Sequence, residues 1–373
     1  MLKGIVTFIL LLGGGLALPA QALESITLQL KWKHQFQFAG YYAALEKGFY
    51  REVGLDVRLV EADTTTDPAR EVVEGHADFG VGTSALLLAR QEGAPVVVLG
   101  VIFQHSPFVL LARGDGDIQT VHDLKGRRIM LEPHADELLA YLRRAGLGQD
   151  HIVTLPHSLG IEELIQGEVD AISAYSTNEP HALERLGIPP LQFTPRADGI
   201  DFYGDNLFTS ERMVRLHPER VRAFLEASLK GWRYAMQHPD EIIELILTKY
   251  AEEPNRAQLQ HEARQMLPLI QPVLVDMGTS SPHRWRHIAD VTRNWVCCPG
   301  MSRSTASSTT PIPAFPSPRS KASSDSRAQR YCSDLPSCPS RCGATRPCAS
   351  ISRSARSRNA SCAPCWTPRP CPS

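Results

Sequence analysis

LQLKWKHQFQFAGYYAALEKGFYREVGLDVRLVE, residues 28–61, decides the fold of this chain. Ile26, Leu28 and Leu30 alternate as a half-buried strand does, and Leu55, Val57 and Leu59 repeat the pattern. Between them lie an aromatic and polar loop (32–38), an amphipathic segment rich in small residues (39–47) and a stop at Gly48. Strand, loop, helix and strand make a βαβ unit, and such sheets take ligands in the crevice beyond the carboxyl ends of their strands. Trp32, Lys33, His34, Gln35, Phe36 and Phe38 sit at such an end. They offer what a small, flat, polar molecule needs: faces to stack on and a few directed hydrogen bonds. Taken singly, Trp32 and Phe36 read equally well as core aromatics.

On the N-terminal side, residues 1–22 carry one early charge (Lys3), an apolar run from Gly4 to Leu18, and Ala20-Gln21-Ala22. That is the pattern of a secretory signal cleaved after Ala22 into the periplasm. The run is short for a membrane span, which needs about 20 apolar residues.

The net charge of −1 averages two unlike segments. Eleven of the 39 Lys and Arg but only two of the 40 Asp and Glu follow residue 296, leaving the front about −10 and the tail +9. All nine cysteines (297, 298, 332, 338, 342, 348, 362, 365 and 371) lie in or beside that tail. An exported front domain without cysteine must rely on its core, and it is long enough to do so. The tail is Ser, Pro, Arg, Ala and Cys without periodicity and cannot bury enough to fold. Its cysteine spacings are irregular and lack an accompanying histidine, so the metal expectation is none. The abrupt change points to an out-of-frame translation beginning near Thr292. A basic tail behind an export signal meets no nucleic acid.

Strand and helix patterns alternate after the opening unit. A helix is expected over 64–75 with Asp67 as N-cap before Pro68, then a short buried strand to Gly82. The Gly82-Thr83-Ser84 turn opens a helix over 85–90; it reads as a cradle for a polar ligand or, equally, as a capped helix start. The run 95–103 is a strand, and 106–112 crosses to a second α/β set. That set has helices over 135–145 and 161–166 and strands over 152–154 and 169–174. Tyr175 through Pro180 follows at a strand's carboxyl end, where Asn178 and Glu179 are hydrogen-bond acceptors for a ligand amine or an N-cap pair. The return crossing is 202–208, and helices fill 211–237, 239–250, 256–267 and 283–295. Two lobes joined by two crossings form a hinged clamp.

The run 30–44, Glu46-Lys47-Gly48-Phe49-Tyr50, 53–57, 78–82, Asp123-Leu124-Lys125-Gly126 and Asn178-Glu179-Pro180 together resemble the thiamine-pyrimidine-synthase-like, SsuA-type branch of the type 2 periplasmic binding proteins. The resemblance runs from about Ile26 to about Asp290. It implies an α/β clamp with a mixed sheet in each lobe and two hinge crossings: lobe 1 from 23–112 and 205–295, lobe 2 from 113–204, and a tail over 296–373. It implies a monomer that binds a small nitrogenous ligand like a thiamine-pyrimidine precursor, for an ABC permease or, in a longer parent, for a membrane-linked kinase or cyclase module. It also implies the pocket: Trp32 and Phe38 as stacking faces, Gly82, Thr83 and Ser84 as a cradle, Tyr175, Asn178 and Glu179 from lobe 2, and Tyr203 with Asp205 at the crossing. Glu179 and Asp205 are the expected carboxylates for a ligand amine. The branch also holds a pyrimidine synthase of thiamine biosynthesis, the alternative function. That enzyme's cofactor-bearing lysine corresponds to Gly82 here and its donor histidine to Leu86; without the amine no Schiff base forms. No enzyme activity and no cofactor are therefore expected.

Overall fold

The computed structural model describes residues 22–250 and 255–293; the signal segment and the tail expectations lie outside them. The opening unit is strand β1 (Glu24–Gln29), a 3-10 turn (Phe36–Phe38), helix α1 (Ala39–Glu46), the single turn α2 (Phe49–Glu52) and strand β2 (Leu55–Val60). Gly48 stops α1 in the left-handed region, at φ +77°. Helix α3 (Pro68–Glu74) follows, and Asp67 caps it by accepting from the amides of Ala69 and Arg70. It starts four residues later than expected because 63–66 is tied into a turn on the Asp63 carboxylate. Then come β3 (Phe79–Gly82), α4 (Leu86–Gln91) and β4 (Val96–Val101).

The chain crosses into β5 (Phe108–Arg113), β6 (Arg128–Leu131), α5 (Asp136–Arg144), β7 (Val153–Pro156), α6 (Glu162–Gln166), β8 (Ala171–Tyr175), α7 (Glu179–Arg185) and β9 (Pro190–Phe193). It returns through β10 (Asn206–Ser210) to α8 (Glu211–Leu216), α9 (Pro218–Gln237), α10 (Pro239–Lys249), α11 (Arg256–Ile270) and α12 (Pro282–Arg293). Two five-stranded mixed sheets result, ordered β2-β1-β3-β10-β4 and β7-β6-β8-β5-β9. In each, four strands run one way and one runs against them, β10 in the first sheet and β5 in the second. The second sheet begins at Phe108, inside the span expected for lobe 1, because β5 pairs antiparallel with β8. Among the described residues no helix is long and apolar enough to cross a membrane.

The small residues of α1 are explained by α9. A Cβ on Gly40 would lie 2.1 Å from the Trp232 ring, and one on Gly231 would lie 2.2 Å from the Gly40 carbonyl oxygen. The two helices thus approach backbone to backbone over the first sheet.

The two crossings are bonded to each other. Ile102 and Ser106 donate from their amides to the carbonyls of Asp205 and Phe202, and Gly204 donates back to Phe103, at 2.9–3.0 Å. His105 on one crossing and Asp201 on the other lie 2.8 Å apart, and Arg284 of α12 reaches Asp201 at 2.7 Å. This paired ribbon is the hinge.

Candidate functional site

The carboxyl ends of the parallel strands from both sheets face one cleft of about 660 Å³, open to solvent. Lys31 and Trp32 follow β1, Asp63 to Asp67 follow β2, and Gly82 and Thr83 end β3. From the other lobe Glu132, Pro133 and His134 follow β6, and His157 and Leu159 follow β7. This is where open α/β sheets take ligands, and here two sheets contribute to one cleft.

Trp32 is its aromatic face. Its carbonyl accepts from Ala62, and the next turn is pinned where the His34 amide donates to Glu61. The ring meets His157 from the other lobe in a T-shaped contact, centroids 5.5 Å apart. His157 accepts from the Leu159 amide at Nδ1 and donates from Nε2 to the Ser173 carbonyl at 3.0 Å. Burial pushes its pKa down, so it stays a neutral, fixed ring.

Lys31 Nζ lies 3.7 Å from Glu132 Oε2, both side chains buried, and 4.3 Å from the Tyr175 ring centroid. Burial raises the Glu132 pKa and the Lys31 ammonium opposes that rise. On the rim His134 Nε2 stands 3.4 Å from Asp67 Oδ2. Hydrogen bonding to Asp67 lifts the His134 pKa, and hydrogen bonding to His134 brings Asp67 down to about 2.

The expected site residues divide into four groups. Trp32, Gly82 and Thr83 line the main cleft. Tyr175 and Glu179 line a smaller space of about 230 Å³ that shares Lys31, Trp32 and Glu132 with it. Asn178 bridges the lobes instead, donating to Gln35 Oε1 at 2.7 Å and accepting from Gln258. The rest are turned away. Phe38, expected as a second stacking face, is wholly buried because the 3-10 turn carries it into the first-lobe core. Ser84 is buried and donates to the Tyr203 carbonyl, and the Thr83 hydroxyl caps the Ala85 amide, so the cradle's hydroxyls are committed locally. The Tyr203 hydroxyl accepts from Ser281, and its ring stands against Trp285 of α12 at 5.1 Å. Asp205 is 1% exposed and accepts from Gln37 and from the Tyr175 hydroxyl. Glu179 accepts from the Tyr175 amide, and burial lifts its pKa to about 7. Neither expected carboxylate therefore faces the main cleft.

Lys31, Glu132, His134 and His157 are cleft residues that the sequence reading does not place in the site. All four follow parallel strands at their carboxyl ends, the rule that selects Trp32.

Two α/β lobes about a paired hinge, with a cleft between strand ends, define a clamp of the periplasmic-binding-protein class. The chain belongs to the NMT1/THI5 like family, whose profile matches residues 35–242. The riboflavin-binding protein RibY of Chloroflexus aurantiacus is 28% identical over 235 residues, 60% of this chain and 66% of that protein. The chain thus spans just under two thirds of that relative. The formylaminopyrimidine-binding protein of Halalkalibacterium halodurans is 26% identical over 258 residues, 67% of this chain and 78% of that one. Among solved structures, the alkanesulfonate-binding protein SsuA from Xanthomonas axonopodis pv. citri, bound to MOPS, superposes with a TM-score of 0.59 at 18% identity. That match covers 74% of this chain and 94% of the other.

Proposed function

We propose that this chain is a non-catalytic binder of a small, flat nitrogen heterocycle, closing its lobes over the ligand outside the cytoplasm and delivering it to an import permease or a membrane receptor. The observation that carries this reading is the Trp32 ring, set in a T-shaped contact against a neutral His157 in a cleft made of strand ends from both lobes. An indole face with polar groups around its rim suits a heteroaromatic ring. The names of the two relatives, one for riboflavin and one for a formylaminopyrimidine, support the ligand class. The synthase alternative is disfavoured at the chemistry. Gly82 has no amine, Leu86 no imidazole, and the cleft's one lysine, Lys31, is committed to Glu132. Export rests on the signal pattern of residues 1–22.

Calorimetry and thermal denaturation against riboflavin and aminopyrimidines test the proposal. A ligand at about 100 times its Kd stabilises the fold by about 2.7 kcal/mol. Trp32→Ala is expected to weaken binding on the order of 10- to 100-fold and, because the partly buried ring packs against the first-lobe core, to lower the unliganded melting temperature while the protein still folds. Binding undiminished in that variant would move the ligand away from this cleft.

A further inference from the structure

Every charged or ionisable side chain that lines the main cleft has a partner within the protein. Asp63 accepts at Oδ1 from the Thr65 amide and from the hydroxyls of Thr65 and Thr66, at 2.8–2.9 Å. Asp67 is taken by two amides of α3 and by His134. His157 has both ring nitrogens bonded to backbone. Glu132 has Lys31.

The Lys31 ammonium is enclosed by rings and a carboxylate. It stands 4.3 Å from the ring centroid of Tyr175, 5.6 Å from Phe108 and 5.9 Å from Trp32, with the Glu132 carboxylate at 3.7 Å. Three aromatic faces and a carboxylate are the surroundings that bind a ligand's cation. Here a residue of the protein's own first strand end fills them.

We propose that the cleft selects an electrically neutral ligand, and that Lys31 is the residue that sets this selection by holding the site's cation position itself. The inference rests on the heterocycle reading above and narrows it. A cationic ligand meets a carboxylate already neutralised and an ammonium beside it. An anionic ligand can reach Lys31 only by displacing Glu132, which would leave a buried carboxylate unpaired. At the Lys31–Glu132 position either sign of charge is desolvated without a free counter-charge, the costly case; Asp63, whose partners are uncharged, lies exposed at the outer edge. A neutral ring loses nothing of this kind and still finds the Trp32 face.

Three probes sharing one ring separate the outcomes: 4-amino-5-hydroxymethyl-2-methylpyrimidine, its phosphate ester and thiamine, titrated into the full chain at mildly alkaline pH, where the aminopyrimidine is uncharged. The neutral compound is expected to bind at least about tenfold more tightly than the phosphate or thiamine. Lys31→Met, which leaves Glu132 and the three rings facing an empty cation position, is expected to shift the ratio of thiamine to neutral affinity by at least about tenfold towards thiamine. Lys31→Arg restores the original order. A merely structural lysine would weaken all three probes together and leave their ratios alone.

Wild-type protein that binds the neutral ring but takes thiamine or the phosphate equally well overturns the role of Lys31 and leaves the heterocycle reading standing. Silence of all three probes, together with riboflavin, overturns the heterocycle reading. In that event the melting temperatures of Lys31→Met, Glu132→Gln and the double variant still decide Lys31. A double variant more stable than Lys31→Met supports the built-in counter-ion, and losses that simply add overturn it.

Discussion

The first lobe is held together by packing, and across the cleft the second is tied to it by polar groups. In the first, Phe79 and Phe224 stack at 3.9 Å, Tyr50 and Phe224 at 5.1 Å, and α1 lies on α9 with glycine against backbone and indole. The second lobe has β7 exposed along its whole length at the sheet edge and a small separate core around Leu164, Ile172 and Leu183. Beside the hinge the lobes share an apolar cluster in which Phe108 and Leu138 join Leu86, Phe208 and Trp285, whereas across the cleft their links are ion pairs and hydrogen bonds: Lys31 with Glu132, His134 with Asp67, and Asn178 with Gln35. A rigid lobe that presents Trp32 and a polar seam that can separate are together what a clamp requires.

The sharpest way to break this contrast is to overfill the first lobe. Gly40→Ala puts a methyl group 2.1 Å from Trp232 Cγ, in a contact where both neighbours are helix. We expect a loss of about 3 kcal/mol or more, or no folded protein, in urea or thermal denaturation. Leu186→Gln in the second lobe, at a side chain 60% exposed, is the matched control and should stay within about 0.5 kcal/mol. Comparable losses from the two would erase the distinction between the lobes.

The next effect lies at the hinge. Glu137 of α5 is 6% exposed beside the crossings, and burial lifts its pKa from 4.5 to about 8, opposed by hydrogen bonds to Ser106 and to the Phe202 backbone. The folded state therefore favours the protonated carboxyl. Its contribution is full below 4.5 and is lost as the pH rises through about 8. Glu137→Gln keeps a neutral polar group there. We expect it to match the wild type in acid and to exceed it in alkali by on the order of 2 kcal/mol. Glu262, under the Phe36 amide in the first lobe, is also raised to about 8. Its Gln variant separates the two contributions. An alkaline gain from Glu262→Gln alone would place the titration in the packed lobe and not in the seam.

The strands of the opening unit were legible because alternation and the Gly48 stop act locally, and the place of Trp32 in the cleft was legible because it follows a strand's carboxyl end. The cleft's charges were not. Lys31 stands inside the quoted stretch, yet its role depends on Glu132, brought to it only when the two sheets face each other. Phe38, Tyr203 and Asp205 lie outside the main cleft for the converse reason. An aromatic or acidic residue in a turn has the same local signature whether it points into the core or into the cleft. Burial decided each of them: Phe38 by the 3-10 turn, Tyr203 by α12, and Asp205 by Gln37 and Tyr175.

The smallest expected effect is on the seam's outer pair. His134 sits at φ +64°, a left-handed conformation that few side chains accept, and this places its ring 3.4 Å from Asp67. Its pKa is raised above 6.5, chiefly by hydrogen bonding to Asp67 and against burial, with Asp136 and Glu132 adding to the rise. Its contribution is therefore full below 6.5 and fades as the pH rises through the raised value. Asp67, lowered from 3.8 to about 2, contributes above 3.8 and loses its part as the pH falls through about 2. Both charges are in place between 3.8 and 6.5, so the pair is strongest there. The His134 side chain is 41% exposed, so solvent screening should keep the pair under about 1 kcal/mol. His134→Asn tolerates the backbone conformation, and Asp67→Asn retains the helix cap. Each should flatten the pH profile of the melting temperature between mildly acid and neutral conditions, and the double variant should lose no more than either alone. A profile unchanged in both variants would show that the lobes meet here without a bond between them, leaving Lys31 and Glu132 as the ion pair of the seam.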